Sequence, residues 1–291
     1  MNILIIGATS GIGKALFLEY ANADNRIGIV GRRTNLLNEL SLQYPSKTIV
    51  SKADVTNLNE TEQAINTLLK EFGHLDLAIM CAGVGDINAT LDYAIERLAI
   101  DTNVVGWTYV IDRLYCIFEQ QGYGHLVAIT SAGGLRGEPA APAYSATKAY
   151  QINYMEAIRK KAFRNGGCIT VTDVRPGLVD TAMAKGEGLF WVMSVEKVAA
   201  QIIAAISRKK SKVYVTKRWH ILAIIYRSLP FYIGAPLTVF VIVYIDNALN
   251  LIDGIDLATG DWIIFMNAGD CFYNNTVISD VFIFRQFTTP V

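Results

Sequence analysis

The chain has no excess of either charge: 26 lysines and arginines balance 26 aspartates and glutamates over 291 residues. Holding nucleic acid takes a basic surface, so nucleic acid is not an expected partner. Histidine is scarce, with three in all, and the four cysteines (Cys81, Cys116, Cys168, Cys271) are scattered without a Cys-x-x-Cys pair. Neither a metal site nor a disulfide framework is expected, and the thiols read as buried and free in a reducing cytoplasm. The start lacks a basic stretch and a cleavage site, since Met1 runs straight into NILIIG, so no secretory signal is expected. Charge is also sparse overall, at 18% against 52% apolar residues, with mean hydropathy +0.30. The apolar surplus lies after residue 218.

Up to that point, apolar runs alternate with helical patterns. Strands are expected over 2–6, 26–31, 47–55, 75–80, 125–130, 168–174 and 212–216. Helices are expected after the first strand up to Ala21, over 35–43, 57–72, 142–164 and 195–207, and as a pair within 90–121. Such alternation predicts an α/β fold, a doubly wound parallel seven-stranded sheet, followed by an apolar C-terminal extension. The expected domains are 1–218, a dinucleotide-binding unit; 219–245, an apolar segment; and 246–291, a remainder. Ligands of such sheets bind at the carboxyl ends of the strands, which singles out the loops after residues 6, 31, 54, 80, 130 and 174.

In those loops, Gly7, Gly11 and Gly13 form a turn between the first strand and first helix, where backbone amides can approach a pyrophosphate. On its own it equally fits a plain tight turn. The second strand ends in Gly31, Arg32 and Arg33, where an NAD-preferring fold places a carboxylate. Two guanidinium groups fit a 2′-phosphate, hence NADP, although solvated surface charges would look the same. Asp54 is placed to accept from an adenine amino group beside the Val55 backbone, and the small residues of MCAGVG (80–85) let the chain pass close to a ribose. Tyr144 and Lys148 stand one helical turn apart. A free phenol, with a pKa of about 10, is a poor acid at neutral pH. A nearby cation lowers it, and the tyrosine can then exchange a proton with a carbonyl oxygen. Ser131, at the end of the fifth strand, could hold the same oxygen.

Taken in order, GATSGIG, DV after the third strand, CAG, TNVVG, ITSAGG, YSATK and RPGLVDT resemble the short-chain dehydrogenase/reductase family over residues 1 to about 218. The resemblance implies that Tyr144 is the acid/base and that Lys148 holds the nicotinamide ribose and lowers the tyrosine pKa. By the same likeness, Ser131 positions the substrate carbonyl, Asn103 supports a proton-relay water near Lys148, and Thr181 binds the nicotinamide carboxamide. It also implies cofactor contacts from Thr9, Ser10 and Ile12 with the three glycines, from Arg32, Arg33, Asp54 and Val55, from Cys81, Ala82 and Gly83, and from Pro176, Gly177 and Val179. Two positions depart from the pattern: Cys81 stands where asparagine is more usual, and Ile6 where threonine is. His74 and His125 read as surface residues, and Tyr150 and Tyr154 as packing or dimer-face residues. The family habit of pairing this helix between subunits implies a homo-oligomer.

These features predict an NADP-dependent oxidoreductase that interconverts a carbonyl and an alcohol of a small-molecule substrate. The alternative is a dinucleotide-binding regulator or scaffold without chemistry, which has no need of Ser131, Asn103, Tyr144 and Lys148 together. The stretch AMAKGEGLFWVMS (182–194) suggests an apolar substrate, or a lid packed on its own core. Residues 219–245 are broken by Pro230, Gly234 and Pro236 and preceded by Arg208, Lys209, Lys210, Lys212, Lys217 and Arg218. They predict a peripheral contact with the inner face of the membrane, the catalytic domain remaining cytoplasmic; packing on the domain or a dimer is the alternative. In the tail, LATG and GDWIIFMNAGD resemble a stretch of the family 2 glycosyltransferases. That likeness implies a metal-holding carboxylate at Asp270 and a substituted position at Asn267. With only about thirty residues matched, 246–291 is expected to be a fused fragment without transferase activity, its strand left with an unpaired edge.

Overall fold

The computed structural model describes residues 1–184, 191–216 and Trp219, together with the backbone of two short strands at 262–264 and 283–285. The apolar run NILII forms β1 (Asn2–Ile6), buried at every position. Then follow α1 (Gly11–Ala21), β2 (Arg26–Gly31), α2 (Thr34–Gln43), β3 (Thr48–Lys52), α3 (Leu58–Phe72), β4 (Leu77–Met80) and α4 (Tyr93–Ile100). A π turn (Asp101–Gly106) leads into α5 (Trp107–Gln121), β5 (Gly124–Ile129), a 3₁₀ turn (Ala132–Gly134), α6 (Pro142–Arg164), β6 (Ile169–Pro176), α7 (Val195–Ser207) and β7 (Lys212–Val215). The seven strands form one sheet in the order β3-β2-β1-β4-β5-β6-β7. Every pairing is parallel. The strand order reverses between β1 and β4, which opens a crevice at their carboxyl ends.

The two faces of β1 show how the strand pattern builds the layers. Leu4 and Ile6 join Trp107, Ile111, Phe118 and Met155 under α3, α5 and α6, while Ile3 and Ile5 join Leu16, Phe17, Val198 and Ile202 under α1, α2 and α7. Truncating one such buried side chain to alanine costs about 2–5 kcal/mol. Next to the site, Thr130 just past β5 donates from Oγ1 to Asp173 Oδ1 of β6 at 2.6 Å, and Asp173 also pairs with Arg175 of its own strand at 2.6 Å, both of that pair almost wholly buried. Removing one partner of such a buried pair costs about 3–5 kcal/mol.

Some expectations hold in more detail and others need correction. The third strand stops at Lys52 rather than running to 55, because Asp54 Oδ1 accepts from the Thr56 backbone N–H and turns the chain. The two helices expected within 90–121 are α4 and α5, joined without a loop by the π turn. Cys116 and Cys168 are exposed rather than buried. His125 is half-buried rather than simply solvated: its Nε2 lies 2.8 Å from Thr172 Oγ1, and burial pushes its pKa down to about 4. Tyr150 and Tyr154 stack on each other and meet Trp107 edge-on, so they pack.

The chain divides into two compact units, Met1–Arg227 and Ser228–Val291. In the second, β8 (Trp262–Ile264) pairs antiparallel with β9 (Ile283–Arg285), so the strand expected in GDWIIFMNAGD has a partner. Apart from Trp219, the apolar segment 219–245 lies outside the described residues, as do Asn267, Asp270 and the remainder of the tail. Among the described residues no helix is long and apolar enough to cross a membrane.

Candidate active site

Tyr144 and Lys148 lie in the first two turns of α6, whose start is held from outside. Pro142 occupies the first turn, and Ala141 at the cap position offers no side-chain acceptor. Glu96 of α4 supplies one instead: its Oε2 accepts from Ala143 N at 2.8 Å, while Oε1 takes the Asn88 amide. The Asn88 backbone N–H in turn donates to Ala140 O. A carboxylate at a helix N-terminus answers both the unpaired amides and the dipole.

The Tyr144 ring is wedged between two glycines. A Cβ on Gly85 would run into the ring, and one on Gly133 would lie 3.5 Å from it. Ser131, at the mouth of β5, stands on the same side: that Cβ on Gly133 would lie 3.3 Å from its Oγ, which accepts from Gly133 N at 3.0 Å. Lys148 is 5% exposed, its Nζ 5.8 Å from the centre of the Tyr144 ring. Nζ donates to Gln151 Oε1 at 3.0 Å and to the Ile129 carbonyl at 3.4 Å. The π turn presents Asn103, whose amide exchanges two hydrogen bonds with the Val84 backbone and donates to Thr147 Oγ1. Its backbone carbonyl accepts from Gln151 Nε2 at 2.9 Å. Lys148 and Asn103 are thus joined through the Gln151 side chain. Gln151, Glu96 and Gly85 are site residues that the sequence reading missed.

The ionisation of the pair also differs from expectation. Burial pushes the Tyr144 phenol above its usual range, and the nearby Ser131 hydroxyl works against that rise. Burial likewise pushes Lys148 down to about 8, against the pull of Asp173 and Cys81. The expected lowering of the tyrosine is therefore not seen in this arrangement. A protonated phenol beside a serine hydroxyl and a buried ammonium can donate a proton to an oxygen placed between tyrosine and serine.

The remaining candidates line the same carboxyl edge. Gly7, at φ +91°, lets the turn press on the next strand's loop: a Cβ there would meet Ala82 N at 2.5 Å. Ser10 caps α1 without a side-chain bond to its amides, and Ile12 packs against the core. Arg33 folds back over the turn, donating to Thr9 Oγ1 at 2.6 Å and Ser10 Oγ at 2.8 Å. Arg32 instead pairs with Asp54 at 3.5 Å. The Asp54 carboxylate is held below its ordinary range: burial raises it, but hydrogen bonds from the Thr56 N–H and hydroxyl and the Arg32 charge outweigh that. Val55 and Ala82 pack into the core, and Gly83 stands beside Asn103 Oδ1 and Lys148 Nζ. Burial drives the Cys81 thiol up to about 12, so it stays protonated. Past Pro176 and Gly177, Val179 bridges Met193 and closes the stems of the loop between, while Thr181 leans on Gly11, its Cγ2 3.2 Å from where a Cβ would stand. Val179 itself is buried in the core. Among the described residues no three His, Cys, Asp or Glu side chains gather as metal ligands.

Comparison with known proteins agrees with this geometry. The short chain dehydrogenase family profile matches residues 1–189. A protein of Staphylococcus epidermidis named as an uncharacterized oxidoreductase is 28% identical over 209 residues, 70% of this chain and 90% of its own. One of Mycobacterium tuberculosis with the same description is 31% identical over 220 residues, 72% of this chain and 86% of its own. Among solved structures, ElxO with NADP bound superposes with a TM-score of 0.65 at 23% identity, covering 74% of this chain and 96% of that one, a likeness of fold. With a family profile spanning most of the sheet and these relatives beside it, this chain belongs to the short-chain dehydrogenase family and is an oxidoreductase.

Proposed function

We propose that this enzyme is NADP-dependent and interconverts a carbonyl and an alcohol, with Tyr144 as the acid/base. The observation that carries the reading is the convergence of Ser131 and the Tyr144 ring at Gly133, with a buried lysine one helical turn beyond the tyrosine. A dinucleotide fits the edge: the first amides of α1 have no side-chain cap, and the glycine turn is too tightly packed to admit a Cβ at Gly7. When bound, the nicotinamide supplies hydride to the carbonyl carbon or takes it back. Ser131 and Tyr144 hold the substrate oxygen, and Tyr144 delivers its proton to that oxygen as charge develops there. Lys148 holds the ribose hydroxyls and offsets negative charge on the phenolate left behind. Two arginines after β2, with Gly31 in place of a carboxylate, support a 2′-phosphate and hence NADP, the cofactor in the solved ElxO structure. Met183 and Val192 are 48% and 40% exposed on the loop past Thr181, which supports an apolar substrate. Steady-state oxidation of NADPH and NADH with ketones and aldehydes of increasing alkyl length tests the reading. The expected outcome is NADPH consumption that improves with chain length; consumption of neither cofactor with any carbonyl would overturn it.

The same reading takes 1–218 as the catalytic unit in the cytoplasm, 219–245 as a peripheral membrane contact and 246–291 as a fused fragment without transferase activity. Fractionation should leave the protein with membranes until detergent is added. Wholly soluble protein would contradict the contact, and metal-dependent binding of a nucleotide sugar, lost in Asp270→Ala, would contradict the inert tail.

A further inference from the structure

Gln151 is fully enclosed, at 0% exposure, and sits three residues beyond Lys148 on the inward face of α6. The next inward positions of that helix, Met155, Ile158 and Ala162, belong to the apolar core. Packing alone therefore gives no reason for an amide here, and a buried amide is retained only where its atoms are used. Both ends are used: Oε1 accepts from Lys148 Nζ at 3.0 Å, and Nε2 donates to the Asn103 carbonyl at 2.9 Å. The partners fix which end is which. The reverse setting would face an amino group with an ammonium and a carbonyl with a carbonyl. The titratable groups around Lys148 are Tyr144 on its own helix, the Cys81 thiol past β4 and Asp173 on β6.

We propose that Gln151 is a positioning residue of the reductase site, whose amide holds the Lys148 ammonium charged and in place and ties it to the π turn bearing Asn103. This rests on reading Tyr144 and Lys148 as the working pair and adds a residue that acts through Lys148. Burial already brings the lysine down to about 8, so its charge near neutral pH depends on what the few remaining neighbours supply. The Gln151 carbonyl dipole points at that charge and favours it. Without it, the ammonium would lose its proton nearer neutral pH, and with it the hold on the ribose and the charge that steadies the phenolate.

The test compares full-length wild type, Gln151→Leu and Gln151→Glu. The Lys148 titration is followed by NMR of ¹³C-labelled lysine, assigned with Lys148→Met, and kcat/KM for NADPH-dependent carbonyl reduction is recorded between about pH 6 and 10. Leucine fills the space without an acceptor and should lower the Lys148 pKa by about one unit; glutamate adds a carboxylate and should raise it by about as much. The alkaline limb of kcat/KM should move with the lysine in each variant. If the leucine variant fails to fold, the glutamate variant carries the test. Unmoved titrations in folded variants, or a fall in kcat with no change in either pH profile, would overturn the proposal. A wild type that reduces no carbonyl, while the lysine titration still shifts, would sink the catalytic reading and leave the hold on Lys148 standing. A wild type that is active, dead as Tyr144→Phe, and indifferent to both Gln151 variants would sink the Gln151 proposal alone.

Discussion

In the proposed mechanism, the charge on Lys148 sets the pH range in which Tyr144 can work. Burial keeps the tyrosine protonated at neutral pH, which suits donation to a carbonyl. The same burial lets the lysine lose its proton near pH 8, and above that the phenolate formed in the reaction has no cation beside it. Carbonyl reduction should therefore show a kcat/KM that falls above about pH 8, approaching tenfold per unit. A profile flat to about pH 10 would contradict the assignment of Lys148. Cofactor choice is also set by single side chains. Arg32→Asp removes one guanidinium from the end of β2 and adds a second acid beside Asp54, so NADPH should lose about 10–100-fold in kcat/KM relative to NADH. A wild type that already prefers NADH would refute the reading of the arginines. That Ser131, Tyr144 and Lys148 come together was legible because their spacing repeats a known order. Gln151 was not, since a polar residue on a helix face usually faces water and only the π turn behind it shows otherwise.

At the scale of elements, α6 carries Tyr144 and Lys148, and its placement depends on other segments. Its cap is Glu96, 47 residues away from Ala143, and no local signal in PAYSATK announces it. Glu96→Ala should lower stability by about 1 kcal/mol, read as a lower thermal midpoint, and also lower kcat, because the turn it holds carries Tyr144. Unchanged stability and turnover would show that α6 keeps its place without it. Gly85→Ala tests the loop on the other side of the ring. The added methyl group would press on Tyr144 and displace it, costing about 1–3 kcal/mol, and should reduce turnover at least tenfold in a protein that still folds. The helix over 142–164 was read at its full length. The π turn was hidden, because one extra residue inside a continuous apolar pattern looks the same as two adjoining helices.

At the scale of the whole molecule, the buried apolar strands made the parallel sheet legible, since only strands covered on both faces read as unbroken apolar runs. What lies beneath the helices was less legible. His125 looked like a strand-start surface residue, yet it is paired with Thr172, whose hydroxyl donates to the Lys210 carbonyl at 2.6 Å and so accepts from His125 Nε2–H. Its folded pKa is depressed from 6.5 to about 4, so the unfolded chain binds the proton first. Stability should thus fall as pH drops from about 6.5 to about 4, by up to about 3 kcal/mol from this group. Urea unfolding at both ends of that range should show a smaller loss in His125→Gln; an equal loss would mean the ring is not the sensor. Residues beyond 227 form their own compact unit, so a chain ending there should keep the reductase activity of the full protein. The most direct test of the account is Tyr144→Phe, with NADPH affinity measured by fluorescence titration and turnover measured on a carbonyl the wild type reduces. The predicted result is affinity within a few-fold of wild type and kcat lower by about 10²–10⁴. A phenylalanine variant that turns over at the wild-type rate would contradict it.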